Sequence, residues 1–400
     1  MTIKTSRRKN VEFGSKFLES SQHQLICLCH TRNIGCIFYV MAASPIMRIP
    51  CKVAELSLDI SLNCGQSFRW KKRPSGEWAG VLAGYLWLMN QDEAGLNYRV
   101  VTLVVQSEAS PSESLPAKKA EMKECIDYEH MVKDYFQLDI DLESLYRQWS
   151  LADANFDKVA KNFVGVRMLK QDPVENLFAF ICSSNNNIQR ITGMVEKLCE
   201  TYGNHLLTYE DVAYYTFPSI ESLAEEKVES KLRTLGFGYR AKFIQQSAAK
   251  IMKNGGRDWL LNLRTVSYLE AKSSLMTLPG IGAKVADCIC LMSLNHSVAI
   301  PVDTHVFQIA KANYVPHLSQ TKSVTDKVYN EISAHFQSLF GTYAGWAHSL
   351  FLCFKQGSFQ CRFTSSESAT ARRQEKKCYR RDQREAGPWP CAKKEESRSS

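Results

Sequence analysis

The sequence predicts an α+β protein: an N-terminal antiparallel β domain followed by a mostly helical domain. Three observations carry this. From Cys51 to about Val105, apolar and polar residues alternate with the period of a half-buried strand, and glycines mark the turns. From about Tyr128 onward, apolar residues recur at helical spacing between recognisable caps. Between the two, Ser107 to Ala120 is rich in Ser, Pro and Glu and reads as a surface loop or linker. The expected segments are an extension over 1–48, a β domain over 49–127, a helical domain over 128–352 with a glycine hairpin unit at 269–294, and a basic disordered tail over 353–400.

Composition narrows the class. A 400-residue chain suits two or three domains, and 44% hydrophobic with 23% charged residues is the balance of an ordinary soluble protein. No apolar run approaches the length that crosses a bilayer, so no membrane partner is expected. The formal charge of +9 suits a polyanionic partner. Fourteen cysteines are scattered, several of them (Cys182, Cys288, Cys290) inside apolar helical stretches, and they read as reduced thiols of a nuclear or cytosolic protein. No metal or cofactor is expected.

Taken in order, residues 1 to about 40 carry Lys4, Arg7, Arg8, Lys9 and Lys16 with few acids, as a disordered extension or a mitochondrial targeting segment would. Leu56, Leu58, Ile60 and Leu62 alternate as in a strand; Trp78 to Met89 and Tyr98 to Val105 read as further strands. Cys64-Gly65-Gln66-Ser67-Phe68-Arg69-Trp70 reads as a strand entering the sheet after a glycine bulge. Asp172-Pro173 opens a buried helix as cap and first-turn proline. Asn185-Asn186-Asn187 interrupts the pattern, either as a polar turn or as a loop offering amides to an unpaired base, before a helix from Ile188 to Tyr202. Gly236-Phe237-Gly238-Tyr239-Arg240 joins two helices, either as an ordinary turn with a packed tyrosine or as an aromatic-plus-arginine loop able to enter a duplex. Trp259 to Thr277 reads as the first helix of the hairpin unit.

The second begins after Leu278-Pro279-Gly280-Ile281-Gly282, whose glycines can make a tight turn with bare amides at the helix start, an anion site suited to phosphate. Lys284 falls in the first turn, where the helix dipole and partial burial favour the neutral, nucleophilic amine. Asp303, in Pro301-Val302-Asp303-Thr304-His305, stands at an N-cap. Further helices are expected through Ala312, from Val324 to Phe340, and from near Tyr343.

The stretch from Leu278 to His305 resembles the helix-hairpin-helix plus Gly/Pro…Asp signature of the base-excision DNA glycosylases. With Gly-Gln-Ser-Phe-Arg-Trp at 65–70, the chain from Ile49 to Leu350 closely resembles the eukaryotic 8-oxoguanine DNA glycosylase/AP lyase family. The resemblance implies excision of 8-oxoguanine opposite cytosine through a lysine Schiff base, followed by β-elimination. It makes Lys284 the nucleophile and Asp303 the carboxylate that stabilises the sugar cation, caps its helix or helps move protons. It assigns Gly65, Cys288 and Met292 to the lesion-base pocket, the Gly65 carbonyl accepting from the N7–H that oxidation creates. It gives Asn185, Arg190 and Arg240 to the opposite cytosine and Tyr239 to the wedge. The amides of Gly280, Gly282 and Val285 and the side chain of His305 would meet phosphates.

One segment departs from the family. His348 stands where a glutamine reading the base is usual, and Leu352 where a phenylalanine stacks, with Phe351 adjacent and able to stack if the helix end shifts. Altered lesion discrimination is therefore expected. Basic residues in the tail (Arg372, Arg373, Lys376, Lys377, Arg380, Arg381) are either a solvated charge run or an import or tethering patch. The readings carried forward are a monomeric nuclear enzyme acting on duplex DNA, with the mitochondrion as a second location, and, against it, a DNA-binding isoform impaired by its altered C-terminus, or a non-enzymatic helix-hairpin-helix protein. An endonuclease III-type enzyme would need four clustered cysteines; Cys353, Cys361, Cys378 and Cys391 are too far apart.

Overall fold

The computed structural model describes residues 23–25, 37–107 and 126–351. The N-terminal part contains β1 (His23–Leu25), β2 (Ile37–Ala43), β3 (Met47–Pro50), α1 (Leu58–Asn63), β4 (Lys71–Lys72), β5 (Trp78–Leu82), β6 (Tyr85–Asp92) and β7 (Gly95–Ser107). The strands form one antiparallel sheet in the order β1-β2-β7-β6-β5-β4. Strand β7 is 13 residues long, enough to pair with β3 at its start and β2 along the rest.

The sheet begins upstream of the expected boundary at 49. Residues 37–41 are an unbroken apolar run with no turn residue, so alternation did not mark them. The segment 58–63 is also a helix, not a strand. Leu58 and Leu62 are buried one turn apart, a spacing that period-two alternation hides. The helix start is secured from outside, by the Gln91 side chain accepting from the Leu58 amide at 2.8 Å.

The rest is mostly helical. It comprises α2 (Tyr128–Phe136), α3 (Leu142–Ala152), α4 (Ala154–Ala160), α5 (Pro173–Ser183), α6 (Ile188–Tyr202), β8 (His205–Tyr209), β9 (Val212–Tyr215), α7 (Ile220–Ala224), α8 (Lys227–Thr234), α9 (Arg240–Lys253), α10 (Gly256–Asn262), α11 (Tyr268–Met276), α12 (Ala283–Ser293), α13 (Thr304–Asn313), α14 (Asp326–Phe340) and α15 (344–351). Two corrections arise here. Residues 205–215 form an antiparallel hairpin turning through Glu210 and Asp211, both at positive φ, and Leu207 packs with sheet residues Ala79, Leu86, Leu88 and Val101. And 259–277 is two helices, α10 and α11, broken by a turn at 263–267.

One large core fills the helical domain and takes in Phe68 from the β domain; a second lies between the sheet and helices α1 and α2. Polar clamps join the two parts. Arg167, fully buried, bonds Glu55, and the Glu55 carboxylate accepts from the amides of Leu142 and Glu143 at 3.0 Å. Gln66 accepts from the Leu169 amide at 2.9 Å and donates to the Arg167 carbonyl at 2.8 Å. The 65–70 run is therefore an irregular loop wedged between domains, not a strand entering the sheet. The N-terminal extension before 23, the linker at 108–125, Leu352, the four spread cysteines and the basic tail lie outside the described residues.

Candidate active site

The hairpin forms as its glycines require, each for a different reason. Gly280 has φ +81°, and a Cβ there would lie 2.5 Å from the Phe243 ring. Gly282 has an ordinary backbone and nothing within 4 Å of a built Cβ, so space, not strain, surrounds it. Helix α12 starts immediately after Gly282 with no side-chain cap, so its first amides face outward.

Lys284 lies in this uncapped first turn, half-buried, with Nζ 5.3 Å from the centroid of the Phe180 ring. Phe180 stands edge-on to Phe68 at 5.8 Å, which ties the Lys284 side chain to the loop carrying Gly65. Cys288 is one turn on and buried; burial pushes its thiol up to about 11, with the nearby Lys284 opposing and Asp287, then Asp303, adding to the rise. Met292, a further turn along the same face, is buried.

Asp303 caps α13. Its Oδ1 accepts from the His305 and Val306 amides, each at 2.9 Å, and Oδ2 takes neither bond. Asp303 is half-buried and His305 exposed; Val285 buries its side chain in the core, leaving its amide as the part that can meet a ligand.

Gly65, at φ +79°, is half-buried, and a Cβ there would meet Ile188 at 3.3 Å. That contact sets the Gly65 loop beside the triple asparagine, where each asparagine has its own task. Asn185 makes the left-handed turn at φ 47°; Asn186 donates to the Cys182 carbonyl at 2.9 Å; Asn187 caps α6 by accepting from the Arg190 amide at 2.9 Å. Asn185 and the Arg190 side chain are exposed. Tyr239 is 48% exposed and its hydroxyl donates to the Ser184 carbonyl at 3.1 Å. Arg240 is buried: its guanidinium lies 4.6 Å from the Tyr239 ring and donates to the carbonyls of Ser184 and Asn185. It braces the asparagine loop instead of standing out as a free probe.

His348 is 1% exposed, and neither ring nitrogen has a hydrogen-bond partner. Burial lowers it to about 4, while the Asp303 carboxylate pulls the other way. The imidazole is therefore neutral at physiological pH. The unfolded chain takes up a proton below about 6.5 and the native site does not until about 4, so acidification across that window destabilises the fold, by roughly 3 kcal/mol at the limit. His348→Gln is expected to flatten this acid limb, measured as Tm between pH 7 and 4. Phe351 does not turn toward the site: it packs among Phe156, Phe336, Phe340 and Tyr314 in the core.

Sequence reasoning missed Phe180, because it lies in a uniformly apolar run with nothing to single it out. It also missed Gln171, whose side-chain amide donates to the Gln66 carbonyl at 2.9 Å while its main-chain N–H donates to the Met292 carbonyl of α12 at 2.8 Å. Among the described residues no cluster of His, Cys, Asp and Glu could hold a metal ion.

Known proteins resemble this chain in both sequence and fold. Residues 48–177 match the N-terminal domain of 8-oxoguanine DNA glycosylase, and residues 178–335 match the HhH-GPD superfamily of base excision DNA repair proteins. The chain is 39% identical over 301 residues to N-glycosylase/DNA lyase OGG1 of Arabidopsis thaliana, covering 74% of this chain and 76% of the relative. It is 36% identical over 321 residues to the N-glycosylase/DNA lyase of Saccharomyces cerevisiae, covering 74% and 82%. The solved structure of MBOgg1 with a low affinity DNA ligand superposes with a TM-score of 0.62 at 25% identity, covering 85% of this chain and all of that one. That of Clostridium acetobutylicum 8-oxoguanine glycosylase/lyase, in complex with duplex DNA containing cytosine opposite 8-oxoguanine, gives 0.61 at 25% identity, covering 76% and 93%.

Proposed function

Because this chain belongs to the 8-oxoguanine DNA glycosylase family, we propose that Lys284 is its nucleophile and Asp303 the carboxylate that serves it. The enzyme is a bifunctional DNA N-glycosylase/AP lyase of base excision repair, excising 8-oxoguanine opposite cytosine. The observation that carries the residue assignment is the uncapped α12 start, which holds Lys284 against the Phe180 ring, together with the α13 start that Asp303 caps.

The chemistry follows from that pairing. The Lys284 amine attacks C1′ as the bond to N9 breaks, and the base departs with that electron pair and takes up a proton. Positive charge building on the sugar is stabilised by the Asp303 carboxylate. A proton passes from nitrogen to O4′ as the C1′–O4′ bond breaks and the nitrogen lone pair forms the C=N bond, turning the aminal into a protonated Schiff base. That cation acidifies C2′, and removal of its proton expels the 3′ phosphate oxygen, nicking the strand. Outward amides at Gly282 to Val285, with His305, hold backbone phosphates, and the exposed Tyr239 ring enters the stack that the extruded base leaves. Asn185 and Arg190 face the orphaned cytosine, with Arg240 holding their loop in shape. The Gly65 carbonyl, Cys288 and Met292 surround the base.

His348 supports a chain-specific selectivity. A neutral imidazole offers one donor and one acceptor, where a carboxamide offers two donors and an acceptor with two lone pairs. The ratio of 8-oxoguanine to guanine excision is expected to rise several-fold in His348→Gln, measured under single turnover; an unchanged ratio would remove His348 from recognition. The formal charge of +9 supports a nuclear location, where a polyanionic partner is found. The reading as a whole is tested on duplexes carrying 8-oxoguanine opposite cytosine, 8-oxoguanine opposite adenine, or a normal pair. Fastest nicking of the first is expected. Equal rates on all three would overturn it.

A further inference from the structure

Asp287 is a charged residue on the catalytic helix that the mechanism above does not use. It is fully buried, adjacent in sequence to Cys288 and three residues from Lys284. Its Oδ1 accepts from the Tyr268 hydroxyl at 2.7 Å; its Oδ2 accepts from Lys272 Nζ at 2.7 Å and from the Tyr329 hydroxyl at 2.5 Å. Lys272 also lies over the Tyr329 ring, 4.7 Å from its centroid. A buried ion pair is a poor way to gain stability, since desolvation offsets much of the attraction. A charged pair buried at this depth in α12 calls for another account.

The third partner provides it. Tyr329 comes from α14, and the same hydroxyl that reaches Asp287 accepts from the Val302 amide at 3.2 Å and lies 3.2 Å from the Ile300 carbonyl. A hydroxyl has one proton and two lone pairs. A carboxylate is a stronger acceptor than the Ile300 carbonyl, so the proton goes to Asp287 and a lone pair is left for the Val302 amide. Val302 directly precedes Asp303. One hydroxyl therefore joins the helix that carries the nucleophile to the main chain that carries the catalytic carboxylate.

We propose that Tyr329, held by Asp287 and Lys272, is a positioning residue that sets where Asp303 stands relative to Lys284. This rests on the roles given to those two residues above. Tyr268 is the internal control: it shares Asp287 but its hydroxyl has no bond to 300–302, so it supports the ion pair without gripping the Asp303 segment.

The test is a double-mutant cycle on the full chain, read as single-turnover excision of 8-oxoguanine opposite cytosine, with binding to a duplex carrying a stable tetrahydrofuran abasic analogue and Tm measured alongside. Tyr329→Phe is expected to slow excision roughly 10- to 100-fold, as a displacement of about 1 Å can, with binding changed less than about threefold. In an Asp303→Asn background the same change should cost no more than about twofold further. Asp287→Asn, which loosens the hold on Tyr329 while keeping its shape, should repeat the pattern and serves if Tyr329→Phe does not fold. Tyr268→Phe should lower Tm while leaving the excision rate within about twofold. Equal losses in both backgrounds, an unchanged rate in Tyr329→Phe, or an equal slowing in Tyr268→Phe would overturn the proposal. Excision by the unsubstituted chain separates these failures from failure of the functional reading, which would take the proposal with it.

Discussion

Replacing Lys284 by glutamine is expected to lower single-turnover excision of 8-oxoguanine by roughly 10³-fold or more. Duplex binding should stay within a few-fold. The argument is local. The lysine is half-buried at the start of α12, with its Nζ near the face of Phe180. Glutamine keeps the length and polarity and removes only the amine that forms the bond to C1′. A structural lysine at this place would show the reverse: a lower Tm with excision largely retained. Rates from a quenched time course on an end-labelled duplex, with Tm on the same preparation, separate the two.

The second large effect contrasts the two hairpin glycines. Gly280→Ala is expected to cost roughly 2–4 kcal/mol of stability, through a left-handed backbone and an overpacked contact. The methyl would lie 2.5 Å from Cγ and 2.8 Å from Cβ of Phe243, atoms too near the main chain to swing aside. Because Phe243 also stands edge-on to Tyr239 at 5.8 Å, the damage should reach the wedge. Gly282→Ala should fold normally, since nothing lies within 4 Å of its Cβ. A bound phosphate is what that methyl would meet, so duplex affinity should fall roughly tenfold, about 1.4 kcal/mol. Chemical denaturation and fluorescence-anisotropy titration of the two variants check this. Equal stability of the two variants would contradict the account.

What the sequence made legible was the part whose chemistry is local. Asp172-Pro173 and Asp303 cap their helices as their types require, and Gly280 turns the hairpin. What it hid was decided at a distance. Helix α1 reads as a strand until Gln91, from strand β6, satisfies its first amide. The β8–β9 hairpin is held by Leu207 against the outer face of the sheet and by Arg69 bonding the Tyr215 carbonyl, neither visible in a short window. The same holds for the site. Lys284, Cys288 and Asp303 stand out through a motif, whereas Phe180 and Asp287 acquire meaning only from what packs around them. Arg240 has the opposite history: its type suggests a free probe, and burial makes it a brace.

The central claim is that Lys284 forms a covalent bond to the sugar of an oxidised guanosine. Borohydride trapping tests it most directly. The full chain is incubated with a duplex carrying one 8-oxoguanine opposite cytosine, reduced, digested and mapped by mass spectrometry. The account predicts a single protein–DNA adduct whose cross-linked peptide contains Lys284, absent with a guanine duplex and absent in Lys284→Gln. An adduct that maps to another lysine, or that persists in Lys284→Gln, would contradict it.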